Sequence, residues 1–144
     1  DVSSGLRFHP VEILASMLYK IGIIFLLGPA PLAVLVFEAV LNGMALFSHS
    51  NIALPVKADH FFRKLIVTPD MHRIHHSVEV SETNSNYGFN LSIWDRIFST
   101  YKEEALKSQP EIVIGIDTFR SPNELTFYNL LIMPKKYGKL TYVT

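Results

Sequence analysis

The sequence has no cysteine among its 144 residues. That excludes disulfides and thiolate metal sites, though it does not fix a redox compartment. Any metal must be held by imidazole, carboxylate or water, which suits iron, zinc or manganese better than an iron–sulfur cluster. An excess of one charge is lacking too. Lys plus Arg and Asp plus Glu both number 13, so the formal net charge is zero. No global field then favours nucleic acid or another polyanion. There is no internal repeat and no low-complexity tract. The chain opens on Asp1 rather than methionine, and reads as a processed chain or a piece of a longer one.

What the sequence has in quantity is apolar residues, 49% of the total. Their weight falls in two runs, Val11–Gly28 and Leu32–Phe47, parted by a Pro-Ala-Pro break at 29–31. At about 1.5 Å per residue each run is roughly 24–27 Å long as a helix, slightly under a ~30 Å hydrocarbon core. The pattern predicts a helical hairpin that crosses a bilayer and returns. Lys20, Glu38 and Asn42 interrupt it. Membrane helices tolerate such groups when they snorkel or face other protein. Two buried helices of a soluble bundle are the alternative, but soluble helices show a clear polar face and these carry only isolated polar residues. A basic start and a small-residue cleavage site are missing, so the region is not a signal peptide.

Beyond Ser48 the composition is mixed. Ala58–Val67 reads as a short amphipathic helix. Thr68 is an expected N-cap, with Pro69 at the first helical position and Asp70 in the first turn. Ser77–Gly88, rich in Ser and Asn, reads as a loop, Leu91–Tyr101 as a helix, and Glu103–Pro110 as a solvated linker. Glu111–Ile116 is β-prone but isolated, so an extended segment is expected rather than a sheet. Ser121 to Glu124 form a capping box that opens a last helix, which the run from Pro134 to Lys139 should end. The fold expected is mainly α, one domain over 1–144. It comprises a membrane hairpin (11–47), a metal-binding and cap region (48–104) with short helices at one membrane face, and a peripheral tail (105–144).

Three of the six histidines, His72, His75 and His76, fall within five residues. On a helix the pairs 72/75 and 72/76 share a face, with Cβ atoms about 5–6 Å apart. His75 and His76 differ by about 100° in direction, so they suit two ions, or one ion and its surroundings. Neutral imidazole is a strong ligand for divalent iron and zinc. His9 stands just before the first apolar run and His49 just after the second. A hairpin returns its ends to one side, so His9, His49 and the cluster can meet at one membrane face. His60 reads as solvated or interfacial. Three accidental surface histidines are the plainer alternative. An all-imidazole di-metal site wants roughly eight or more nitrogens, and the chain has six histidines. Either the site is mononuclear or most ligands lie in other sequence.

Four stretches, RFHPVE (7–12), LFSHSN (46–51), TPDMHRIHHS (68–77) and NYGFNLSIWDRIFSTY (86–101), together resemble the C-terminal half of the fatty acid hydroxylase superfamily. That superfamily includes sterol desaturases, sterol methyl oxidases and lipid hydroxylases. The resemblance runs from Arg7 to Tyr101 and implies an integral membrane, non-haem di-metal oxygenase. His72, His75 and His76 match the family's final H-x-x-H-H box, and His49 matches the lone histidine after the later hairpin. The two earlier boxes have no counterpart here. The resemblance therefore implies a di-iron site partly completed by ligands outside this sequence, and a chain that is inactive alone. It also implies a lipid substrate (fatty acyl chain or sterol), O2, and hydroxylation or desaturation. The implied electron donor resembles cytochrome b5 or a ferredoxin-type protein, and the membrane is the bacterial inner membrane or the endoplasmic reticulum. His9 is a further candidate ligand. Asn51 is placed to orient His49, and Asn86 and Tyr87 to hydrogen-bond ligand imidazoles. No catalytic side chain beyond the metal ligands is expected. Trp94 and Phe98 read as an interfacial anchor, and Asp95 and Arg96 as partners of each other or of the histidine helix. One rival is a zinc-dependent membrane hydrolase, but Arg73 and Ile74 stand where H-E-x-x-H would place its glutamate. The other is a non-catalytic, membrane-anchored metal-binding fragment.

Overall fold

The computed structural model describes residues 8–116 and 118–137. Seven helices follow in order: α1 (Pro10–Leu27), α2 (Pro31–Ser48), α3 (Val56–Phe62), α4 (Pro69–His75), α5 (Val80–Thr83), α6 (Ile93–Ile97) and α7 (Phe127–Tyr137). The described residues hold no strand, only the isolated antiparallel bridges Ile66–Leu91 and Ser77–Ile114. The mainly helical expectation is met; a 3-10 turn at Gln109–Glu111 interrupts the expected linker and takes in Glu111, and Ile112–Ile116 beyond it forms no sheet.

The hairpin follows from its punctuation. Pro10 and Pro31 each start a helix at the position where a missing N–H costs nothing. Gly28 ends α1 in the left-handed conformation, φ +58°, and its N–H caps the Ile24 carbonyl at 2.9 Å. A side chain there would be strained. Both helices have 18 residues, with mean hydropathy 1.8 and 1.7, long and apolar enough to cross a membrane. α1 buries none of its residues, and α2 buries only Ala45 and Ser48. Apolar surface of this extent needs lipid or further protein around it.

The polar interruptions satisfy one another. Lys20 Nζ lies 2.7 Å from Glu38 Oε1, across the hairpin. Asn42 Nδ2 donates to the Glu38 carbonyl at 2.8 Å. A lone charge at the centre of a membrane helix costs about 2.5–3.5 kcal/mol on insertion scales. Lys20→Glu is therefore expected to lower the fraction of protein that resists alkaline extraction from membranes. Adding Glu38→Lys should restore most of it.

The cap has a small core, with Val67, Met71, Ile74 and Ala45 buried where α4 packs on the end of α2. Thr68 caps α4 by accepting from the Met71 N–H, with Pro69 next, as expected. Much of the order comes from buried polar groups that find partners. Asn86 Nδ2 donates to the carbonyls of Met71 (3.1 Å) and Lys102 (3.0 Å), and its Oδ1 accepts the Lys102 N–H (2.9 Å). Asp95 accepts the Gly88 N–H (2.8 Å) and the Thr100 hydroxyl (2.7 Å). A Cβ at Gly88 would stand 2.6 Å from Asp95 Oδ2 and 2.8 Å from the Leu91 carbonyl, so only glycine fits.

Several elements differ from expectation. The Ser77–Gly88 loop contains the single turn α5. The helix expected over Leu91–Tyr101 shrinks to α6, because Ser99 turns to φ +58° and the Thr100 and Tyr101 N–H groups fold back to the Asp95 carbonyl. Asp95 and Arg96 pair neither with each other nor with α4. Asp95 serves the loop, while Arg96 donates to the Arg63 carbonyl and lies 3.8 Å over the Tyr101 ring. Ser121 and Glu124 do bond, hydroxyl to carboxylate at 2.7 Å, but α7 begins only at Phe127. α7 then runs through Pro134, which forfeits one hydrogen bond there. Gly138 and Lys139, expected beyond its end, lie outside the described residues.

Candidate metal centre

Two helix ends build the site. α2 terminates at His49, its C-cap, and α4 terminates at His76, its C-cap, with His72 and His75 in its last turn. Because α4 packs on α2, these ends converge. The Nε2 atoms of His49, His72 and His76 form a triangle with sides 3.2, 3.2 and 3.0 Å. Imidazole nitrogens held by one ion at about 2.0–2.1 Å stand roughly 2.8–3.4 Å apart in octahedral (cis) or tetrahedral geometry. The observed triangle fits that requirement. The carbonyl end of an 18-residue helix beside it also favours a cation.

Second contacts set which nitrogen is free. His49 Nδ1 lies 2.8 Å from the Ala45 carbonyl. A carbonyl only accepts, so Nδ1 carries the proton and Nε2 keeps its lone pair. His75 Nδ1 is fixed in the same way by the Ser85 carbonyl at 2.9 Å. His72 Nδ1 is buried with no hydrogen-bond partner among the described residues. Burial above all, then His76, His49 and His75, push the His72 imidazole down from 6.5 to about 3. Burial, followed by His49 and His75, takes His76 down to about 4. Both rings are thus neutral, as a ligand must be, well below ordinary histidine pKa values.

The same shifts predict an acid sensitivity of the metal-free protein. Unfolded histidine titrates near 6.5. Between that pH and about 4, the unfolded chain therefore binds more protons than the folded one, and acid favours unfolding. Stability is expected to be full above pH 6.5 and to fall as pH drops towards 4. Thermal midpoints across that window would check it, and His76→Gln should flatten the slope.

The structure brings together three of the sequence candidates. His75 sits beside them, stacked on His72 with centroids 5.6 Å apart, but outside the triangle. His9 does not join. It caps α1 by accepting the Val11 N–H at Nδ1, and its Nε2 meets the Leu131 carbonyl at 3.0 Å. His60 is exposed, 3.4 Å from Glu103. Asn51 lines a cavity of about 80 Å³ beside the triangle, together with Arg73 and Ile114. Asn86 touches the backbone of α4 rather than an imidazole. Tyr87 presents its ring edge-on to His75 at 5.5 Å.

Three contributors carry no residue-type signature. The Ala45 and Ser85 carbonyls are backbone groups, although Ala45 stands one helical turn before His49. Arg73 donates to Asp70 and Gln109, both at 2.8 Å, and so ties α4 to a distant segment.

Comparison with known proteins points one way. The family model described as fatty acid hydroxylase matches residues 1–100. The ornithine lipid hydroxylase OlsE of Rhizobium tropici is 36% identical over 114 residues, covering 75% of this chain and 32% of its own length. The chain thus spans about a third of that curated relative. No solved structure matches.

Proposed function

The chain belongs to the fatty acid hydroxylase family, and from that premise we propose that it forms the C-terminal metal-binding part of a membrane-bound lipid hydroxylase. His49, His72 and His76 hold non-haem iron through Nε2, and His75 serves a second iron whose remaining ligands lie outside these residues. The observation that carries this reading is the triangle of Nε2 atoms at 3.0–3.2 Å.

Iron held there supplies the reduction of O2 and the attack on an unactivated C–H bond. Overall, R–H, O2, two electrons and two protons give R–OH and water. An electron carrier of cytochrome b5 or ferredoxin type supplies the electrons. The residues of this chain do the positioning. Ala45 and Ser85 fix the tautomers of His49 and His75. Burial keeps His72 and His76 unprotonated. The cavity of about 80 Å³ beside the triangle lies far below the ~300–1,000 Å³ typical of sites for larger organic ligands. It suits O2 or water, not an acyl chain. An apolar groove of about 310 Å³ between α1 and α2, lined by Ile23, Ile24, Val34 and Phe37, has room for part of a chain. It lies towards the Gly28 turn, so the approach of an alkyl carbon to the histidines needs other surfaces.

The first substrate to try is an ornithine lipid, given the name of the Rhizobium relative. The full-length protein would be expressed in cells that make such lipids, and the lipids compared by mass spectrometry with those of a control. Appearance of a species heavier by one oxygen atom is expected, with iron rather than zinc in the purified protein. Unchanged lipids from well-folded, iron-loaded protein would count against the proposal.

A further inference from the structure

Two segments of the cap turn their largest apolar side chains outwards. α3 and the turn after it expose Phe61, Phe62 and Leu65, and α6 with its end exposes Trp94, Ile97 and Phe98. The two segments are fastened side by side. Ser92 donates its N–H to the Leu65 carbonyl (3.2 Å) and its hydroxyl to the Arg63 carbonyl (2.6 Å). Ile66 and Leu91 form a bridge. The acidic groups of both segments face inwards, Asp59 against Arg63 and Asp95 against Gly88 and Thr100. Lys57 and Lys64 stay exposed. What these two segments leave outside is therefore aromatic, aliphatic and basic, with the exposed Glu103 carboxylate 3.4 Å from His60 as an acidic neighbour.

Such a surface does not suit water. Tryptophan, phenylalanine and lysine together are the composition of a membrane interface, where rings sit at the acyl boundary and ammonium groups meet phosphates. The surface also follows the hairpin closely in the chain. α2 ends at Ser48 and α3 begins at Val56, so at about 3.5 Å per residue α3 starts within roughly 28 Å of the end of α2.

We propose that this face docks the cap on the phospholipid headgroups of the same bilayer that α1 and α2 cross, with Lys57 and Lys64 on anionic lipid. The proposal rests on reading α1 and α2 as a spanning hairpin. Docking has a consequence for the site. The Val67 N–H donates to the Asn90 carbonyl at 2.9 Å, and Val67 leads directly into α4. The docked surface thereby sets the height of the histidines above the lipid.

Trp94 is the one tryptophan in the sequence, so its emission reports the surface. The full-length protein and its Trp94→Phe variant would be reconstituted in phosphatidylcholine vesicles with and without phosphatidylglycerol. The Trp94 signal is the difference between them. Lipids brominated near the top of the acyl chain are expected to quench it by about twofold, as befits a ring at the interface, and aqueous acrylamide to quench it little. Lys57→Glu with Lys64→Glu should weaken lipid quenching on the anionic vesicles and not on the neutral ones. The proposal is overturned if brominated lipid does not quench Trp94. Exposure to acrylamide would then mean the face lies in water, and protection from it that protein covers the face. Retention through an alkaline wash reports the hairpin separately. Protein that is retained but unquenched removes the docking face and leaves the hairpin. Protein that washes off removes the spanning premise.

Discussion

Under the proposed function, alanine at His72 is expected to strip the purified full-length protein of most of its iron and of measurable hydroxylation. His72 is 8% exposed and the most enclosed of the three converging rings. Its Nε2 is within 3.0–3.2 Å of both partners, so its loss opens the triangle on two sides. Changes to groups that merely orient metal ligands typically cost 10–100-fold in affinity or activity. Losing a ligand should cost at least about 100-fold. Membrane retention should not change, because His72 lies outside both apolar helices. Two other histidines serve as controls. His60→Ala removes an exposed ring and should leave metal content alone. His9→Ala removes the α1 cap, worth about 1 kcal/mol, and should lower stability slightly while the metal stays. If His9→Ala loses iron as His72→Ala does, His9 is a ligand and its capping contact is secondary. If His72→Ala keeps its full iron complement, the triangle is not the metal site.

How far the sequence foretold this arrangement depends on the kind of contact. Helical periodicity sufficed for His72 and His76, four apart on one face, whose rings lie 4.6 Å apart. It also foretold that His75 would diverge from His76. Topology sufficed for His49, because a hairpin of two equal apolar runs must return its end to the start. The same argument brought His9 to the same side but could not decide its role. A Pro at the next position makes His9 an N-cap, and a cap uses the nitrogen that a metal would need. Asn86 shows the opposite limit. Its place after the histidine box suggested a bond to imidazole. Its partners are instead carbonyls brought near by a left-handed turn at φ +50°. Backbone acceptors belong to every residue type, so no pattern of side chains announces them. Trp94 and Phe98 were legible as exposed aromatics. That they share a surface with Phe61 and Leu65 required the hydrogen bonds of Ser92, which join segments almost thirty residues apart.

Asn86→Ala is expected to be the most destabilising change away from the histidines. Asn86 is fully buried. Its amide holds Met71 in α4 to Lys102 on the far side, through two donated bonds and one accepted. Alanine leaves the buried Met71 carbonyl and the part-buried carbonyl and N–H of Lys102 each short of a partner, at up to about 1–3 kcal/mol for a group left unsatisfied. It also places a Cβ on a left-handed backbone, which asparagine tolerates better than alanine. Partial relaxation will recover some of the loss, so about 3–5 kcal/mol in total is expected, seen as a clear drop in thermal midpoint. Asn86→Gly separates the two causes. Glycine removes the backbone strain but not the missing bonds, so it should recover only about 1 kcal/mol of the loss. Because Met71 stands beside His72 at the foot of the box, the loosened helix should also bind metal more weakly. Asn86→Ala would then lower iron occupancy without removing any ligand. A variant as stable as the parent, with iron unchanged, would mean that the packing of Met71 and Ile74 alone holds α4 in place.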